Sequence, residues 1–311
     1  MVPPTREGGV TRQRPLRIGL ALGSGSARGW SHVGVIRGLL RAGIEPEIVC
    51  GTSIGALVGA AYAAGEFERL EPWVASLTRQ SVMSLVDLKL SAGMVEGRKL
   101  QEYFRAHFAD PGIERLRLPF ACVATELDSG REVWLREGSV IDAVRASIAL
   151  PGLFTPVVRD GRLLVDGGLV NPVPVSLCRA MGADVVIAVD LNHDLVARHR
   201  RAEPASARGG RKRAVPAGAR SLESLWSRLW PTSDEPQSLP MPSMLGVLAA
   251  SLNIMQMRIT NSRLAGEPAD VVVRPRVGGI GPLDYHRGEV AIAEGLRAVE
   301  QALPMLHELL P

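Results

Sequence analysis

Ser53 lies in Gly51-Thr52-Ser53-Ile54-Gly55, a G-x-S-x-G between an apolar run at residues 48–50 and a run of small apolar residues at 56–64. A serine on a tight turn from a strand into a helix is presented at the helix N-terminus, where the dipole favours a developing anion. Such a serine can act as the nucleophile of acyl transfer. The same residues also read as a Gly-rich strand-to-helix turn with an N-capping Ser or Thr. A second loop, Gly23-Ser24-Gly25-Ser26-Ala27-Arg28-Gly29, repeats the arrangement and offers backbone N–H groups to an oxyanion, with Arg28 as a permanent cation suited to phosphate. Its other reading is packing of a first βα turn. It is not a dinucleotide fingerprint: the spacing is G-x-G-x-x-x-G, and Cys50-Gly51 stand where the ribose-binding acid is needed. The third feature, Asp166-Gly167-Gly168, is by itself a turn signal. Together the three loops contain a nucleophile, oxyanion donors and a base. An ordinary carboxyl, with a pKa of about 3.9, is a weak base, so a Ser–Asp dyad requires burial that raises the Asp.

Ser53, Asp166 and His286 also occur in the Ser…Asp…His order of an α/β-hydrolase. Position argues against that fold, because only one strand-helix unit precedes Ser53. His286 stands at the mouth of the last helix and reads as a capping or surface residue. His32, His107, His193, His199 and His307 show no ligand spacing, so neither a metal nor a cofactor is expected. Cys50, Cys122 and Cys178 are far apart and without a C-x-x-C pair, which indicates a reducing compartment and no disulfide framework.

These loops need rigid elements to hold them. Residues 16–22 and 48–50 read as short buried strands, followed by helices that end near Gly43 and Ala64; strand, loop, helix repeated is the pattern of parallel α/β structure. Residues 119–125 and 132–135 read as paired strands around Asp128-Ser129-Gly130. Residues 140–148 have helical spacing, stopped by Pro151-Gly152, and 157–159 with 163–165 form a hairpin through Asp160-Gly161. A central parallel strand is expected at 184–191, a last strand at 269–274, and a helix from about Arg287 to Leu303, closed by Pro304.

The motifs in this order, Leu22 to Gly29 with His32, Gly51 to Gly55, Ala146-Ser147-Ile148-Ala149-Leu150-Pro151-Gly152 and Asp166 to Gly168, resemble the patatin-like phospholipase family. The nearest branch is the bacterial proteins similar to the catalytic domain of neuropathy target esterase. The resemblance covers residues 16–194 and resumes at Val271-Val272-Val273-Arg274-Pro275 and Leu283-Asp284-Tyr285. It implies a three-layer α/β/α fold with a mostly parallel central sheet and a serine lipid acyl hydrolase of phospholipase A or lysophospholipase type. Ser53 is then the nucleophile and Asp166 the base, with no histidine. Gly25 and Ser26 supply the oxyanion amides, Arg28 meets the substrate phosphate or orients the loop, and Gly23, Gly29, Gly51, Gly55, Gly167 and Gly168 are the motif glycines. Ser24 and Ser26 depart from the pattern, standing where many members have glycine. Transfer of the acyl group to another acceptor, or a regulatory protein that kept the fold, are the other functions open to these residues.

Composition sets the frame. The 311 residues, 46% hydrophobic and 22% charged with mean hydropathy +0.11, are those of a globular enzyme. The net charge of +4 is unevenly placed: residues 198–220 carry +7 and residues 1–17 carry +3, leaving a mildly acidic remainder of −6. This speaks against nucleic-acid binding by the fold. A tail at 1–15 is expected, then one catalytic domain at 16–311, interrupted by a basic disordered insertion at 196–220 and a helical segment at 221–262. Leu222, Leu225, Trp226, Leu229 and Trp230 share a helical face beside that insertion. The face reads either as a lid on the domain or as a helix on an anionic membrane surface through 198–230. The first 17 residues have no apolar core of a signal, and the stretch 244–257, interrupted by Ser251 and Asn253, is too short to span a bilayer. A cytoplasmic protein, peripheral on the inner face of the membrane in the second reading, with a lipid substrate is expected.

Overall fold

The computed structural model describes residues 16–84, 88–89, 94–95, 97–108, 110–194 and 244–310. The chain enters on β1 (Ile18–Leu22) and passes through a 3-10 turn (Ser26–Trp30) into α1 (Ser31–Arg41). β2 (Ile48–Thr52) and α2 (Ile54–Ala64) repeat the unit, with Ser53 alone between them. Then come α3 (Phe67–Ser76), α4 (Arg79–Ser84), the small antiparallel pair β3 (Leu88–Lys89) and β4 (Met94–Val95), and α5 (Arg98–His107). The middle of the chain forms β5 (Phe120–Glu126), β6 (Glu132–Leu135), α6 (Val140–Ser147), β7 (Val157–Arg159), β8 (Arg162–Asp166), α7 (Val175–Ala180) and β9 (Val185–Val189). The last elements are α8 (Met244–Gly266), β10 (Val271–Val273) and α9 (Gly288–Leu309).

Eight strands make the main sheet, bonded in the path β10-β9-β1-β2-β5-β8-β7 with β6 also on β5. The pairs from β10 to β5 are parallel, and β6, β7 and β8 join antiparallel. Side chains alternate across a strand, and here they sort into two separate cores. Leu20, Leu22, Val49, Phe120, Cys122, Ile187 and Val189 enter one cluster, with α1, α2 and α9. Ala21, Ile48, Cys50, Ala121, Val123, Val186 and Ala188 enter the other, with α7 and α8 residues such as Leu177 and Leu264. Burial on both faces is why β2, β5 and β9 read as continuous apolar runs, and it makes the molecule three layers.

At the hairpin, Asp160 and Gly161 take φ of +50° and +73°, the left-handed pair that a two-residue turn between twisted strands needs. Two expected boundaries are corrected. The last helix does not close at Pro304 but continues to Leu309, since Leu306 is fully buried and carries the apolar face of Ala298 and Ala302 a further turn. The helical segment expected to end at residue 262 runs to Gly266, where Arg263 is held by Glu132 and the Val170 carbonyl. The tail at 1–15, the basic insertion at 196–220 and the Trp226/Trp230 helix lie outside the described residues. Among the described residues no helix is long and apolar enough to cross a membrane.

Candidate active site

The parallel strands β1 and β2 end side by side, so the two loops that follow them meet at one edge of the sheet. Gly55 makes this approach so close that a Cβ there would sit 2.2 Å from the Leu22 carbonyl oxygen. Ser53 occupies the step between β2 and α2 with φ 57° and ψ −124°, a conformation that L residues rarely adopt. The strained turn is held from below. Ser147, at the end of α6, accepts the Ser53 amide at 2.9 Å and donates to the Val123 carbonyl at 2.6 Å.

Asp166 ends β8 and caps the short turn that follows it. Its Oδ1 accepts the Gly168 amide at 2.7 Å, and its Oδ2 accepts the Ser53 hydroxyl at 2.5 Å. The carbonyl of Asp166 accepts the Thr125 hydroxyl at 2.8 Å, and its amide donates to Ala149 at 3.0 Å, so both ends of the residue are fixed. Gly168 must be small here, because a Cβ would meet Asp166 Oδ1 at 2.9 Å and Gln256 Nε2 at 2.6 Å. Asp166 is 1% exposed, and burial pushes its carboxyl up to about 6, against the opposing pull of the Ser53 and Gly168 hydrogen bonds.

In the loop after β1, the amides of Gly23, Ser24, Ala27 and Arg28 are taken by the carbonyls of Val189, Pro172, Pro282 and Gly25. Among the described residues, the amides of Gly25 and Ser26 have no acceptor, and these are the two expected at an oxyanion. Ser26 has φ 51°, a conformation that glycine adopts without steric cost; here its hydroxyl pairs with Tyr285. Arg28 is turned inward and 2% exposed. Its Nε donates to the Gly25 carbonyl and its Nη2 to Asn253 Oδ1, each at 3.0 Å. Burial lowers its pKa to about 10, with Asp194 and Asp190 opposing, so it stays a cation at neutral pH.

Ser53 opens into a solvent-connected cleft whose walls are mainly apolar, among them Trp73, Phe104, Ile148 and Phe154. No histidine lines it. His286 lies against Arg79 Nε at 3.3 Å, and buried His32 sits beneath the loop with Nε2 2.7 Å from the Gly23 carbonyl, kept neutral by burial that lowers it to about 4. Among the described residues no group of three or more potential ligands is placed to hold a metal ion.

Several residues of this arrangement have no role that the sequence assigns. Ser147 and Tyr285 lie inside the motifs at 146–152 and 283–285, which mark them without assigning them a function. Asn253 and Gln256 come from α8, where Ser24 Oγ donates to Gln256 Oε1 at 3.3 Å, and nothing in an apolar helical stretch marks two amides as site residues.

The patatin-like phospholipase family profile matches residues 20–179. The chain is 34% identical to an uncharacterized NTE family protein of Mycobacterium tuberculosis (strain ATCC 25618 / H37Rv) over 92% of this chain and 91% of that protein. It is 30% identical to lysophospholipase NTE1 of Coccidioides immitis over 93% of this chain, and 38% identical to patatin-like phospholipase domain-containing protein 6 of Homo sapiens over 56% of it. The matched part is only 18% and 13% of those two longer proteins. With the profile match over half of the chain and this likeness along nearly its whole length, the chain belongs to the patatin-like phospholipase family.

Proposed function

We propose that this protein is a serine lipid acyl hydrolase that cleaves carboxylic ester bonds of phospholipids or lysophospholipids, with Ser53 as nucleophile and Asp166 as its base. The observation that carries the reading is the 2.5 Å contact between Ser53 Oγ and a buried carboxylate whose pKa burial lifts to about 6, at the wall of a mainly apolar cleft. A base near 6 is ionised at neutral pH yet strong enough to take a hydroxyl proton as attack proceeds. Ser53 Oγ bonds to the ester carbonyl carbon while its proton passes to Asp166. The developing oxyanion is met by the Gly25 and Ser26 amides and by the N-terminus of α2. The tetrahedral adduct then expels the alcohol, which takes the proton back from Asp166. Water, deprotonated by Asp166, attacks the acyl-enzyme, and the acid leaves as Ser53 recovers its proton.

Arg28 orients the oxyanion loop: its burial and its bond to the Gly25 carbonyl favour that role over contact with the substrate phosphate. The relatives named as lysophospholipase and phospholipase-domain proteins support the choice of substrate class. A fluorophosphonate probe should label the wild type and not Ser53→Ala, and mass spectrometry of a defined phospholipid and lysophospholipid panel should show fatty acid release by the wild type alone. Equal labelling of both proteins, or release by Ser53→Ala, would overturn the assignment.

A further inference from the structure

A helix that covers a core normally turns an apolar stripe toward it. Beside the oxyanion loop α8 does not. Asn253, Gln256 and Thr260, spaced i, i+3 and i+7, share one face, with Gln256 and Thr260 buried, whereas Val247, Leu248, Ile254 and Met255 are about half exposed. Burying a side-chain amide is costly unless it is hydrogen-bonded, so what these amides hold is informative. Asn253 Oδ1 accepts Arg28 Nη2 at 3.0 Å, and Gln256 Oε1 accepts the Ser24 hydroxyl at 3.3 Å. Gln256 also packs where that loop meets the turn of the base: a Cβ on Gly168 would lie 2.6 Å from Gln256 Nε2, 2.9 Å from Asp166 Oδ1 and 3.2 Å from Ser24 Cβ.

Each amide that is free to meet an oxyanion belongs to a planar trans peptide, so its N–H points opposite to the preceding carbonyl. The Ser26 N–H is therefore aimed by whatever holds the Gly25 carbonyl. That is Arg28, through its Nε at 3.0 Å and its own amide at 3.2 Å. Among the described residues, Asn253 is the side chain that accepts from the Arg28 guanidinium, and Nη1 has no partner, so the guanidinium keeps its place largely through Asn253. The Gly25 N–H is aimed in the same way by the orientation of Ser24. The Ser24 carbonyl has only a long contact of 3.5 Å to Asn192 Nδ2; the residue is held by its amide on the Pro172 carbonyl at 2.8 Å and by its hydroxyl on Gln256. We infer that Asn253 and Gln256 are positioning residues for the ester reaction, Asn253 aiming the Ser26 amide through Arg28 and Gln256 aiming the Gly25 amide through Ser24; the inference rests on the hydrolase reading above. Because the oxyanion exists only once Ser53 has attacked, what α8 contributes appears in kcat and not in KM.

The test removes each acceptor with Asn253→Leu and Gln256→Met and follows p-nitrophenyl butyrate hydrolysis by the full chain. In both variants kcat should fall about ten-fold or more with KM little changed. Inhibition by an alkyl trifluoromethyl ketone, whose adduct with Ser53 carries an oxyanion, should weaken by the same factor as kcat/KM. Asn253→Asp, which keeps an acceptor for Arg28, should restore kcat. Ser24→Ala combined with Gln256→Met should lose no more than the larger of the two single losses, because Gln256 acts through Ser24. If Asn253→Leu does not fold, Asn253→Ser, which also fails to reach Arg28, takes its place. Wild-type kcat in both acceptor variants overturns the inference and leaves the hydrolase reading standing, as does a fall in kcat with unaltered ketone inhibition. Absence of all ester turnover in the wild type removes the hydrolase reading and this inference with it.

Discussion

Ser53 and Asp166 meet because the strands that end in them share one edge of β5. Val123 pairs with Thr52 and the next residue, Ala124, pairs with Asp166. Cys122 and Val123 face both β2 and β6, and Ala124 and Thr125 face both β6 and β8. A strand has two edges, so β6 occupies one and β2 and β8 follow each other along the other. The parallel strand stops, the antiparallel strand arrives from the opposite direction, and their ends bring hydroxyl and carboxylate to 2.5 Å.

On the proposed mechanism this geometry should make the reaction pH-dependent on its acid side. The Asp166 carboxyl ionises near 6, and only the ionised form can accept the Ser53 proton. Ester hydrolysis should be flat above about pH 7 and kcat/KM should fall toward ten-fold per unit below pH 6, while Asp166→Asn lowers the plateau by about 10²–10⁴-fold. Initial rates with a neutral ester from pH 4 to 9 provide the check; a limb near 4 in place of 6 would show that Asp166 is not the group titrating.

The same burial has an effect of opposite sign on stability. The folded carboxyl has its pKa raised to about 6 from its ordinary 3.8, so the unfolded chain gives up this proton first as pH rises. The contribution to stability is therefore full below about pH 4, is lost as pH climbs through 6, and stays lost above it. Asp166→Asn, which cannot ionise, is expected to be more stable than wild type by about 2–3 kcal/mol at pH 8. The two proteins should converge at pH 4. Urea unfolding at both pH values measures the difference, and a variant destabilised at pH 8 would contradict it.

Ser147 holds the strained elbow, since its hydroxyl joins the Ser53 amide to the Val123 carbonyl and the residue is fully buried. Ser147→Ala leaves one buried donor and one buried acceptor without a partner, a cost of about 1–3 kcal/mol. Because Ser53 then has less to hold its φ of 57°, kcat should fall roughly ten-fold with KM little changed. Denaturation midpoints together with separate kcat and KM values test this, and lowered stability with unaltered kcat would reduce Ser147 to a packing role.

The sequence by itself determined the strand-helix rhythm and the hairpin at Asp160-Gly161, and it singled out Ser53 and Asp166 as candidates. These depend on local spacing, on turn residues and on motifs that sit at element ends, all of which are written in consecutive residues. It also carried the glycines that allow loops to approach, although not what they approach: the Leu22 carbonyl beside Gly55 is 33 positions away in the chain. Only the tertiary structure decided the rest. Asn253 and Gln256 reach the loop after β1 from more than 220 residues downstream, and their helix shows no local pattern that distinguishes them from solvent-facing amides. The irregular stretch between residues 65 and 118 gave no element assignment, yet α5 from that stretch lines the cleft at Ser53. The Pro304 stop failed because burial of Leu306 on the far side outweighed a local helix breaker. The elevated Asp166 pKa also follows from the fold, because desolvation depends on everything packed around a group and on no single neighbour in the sequence.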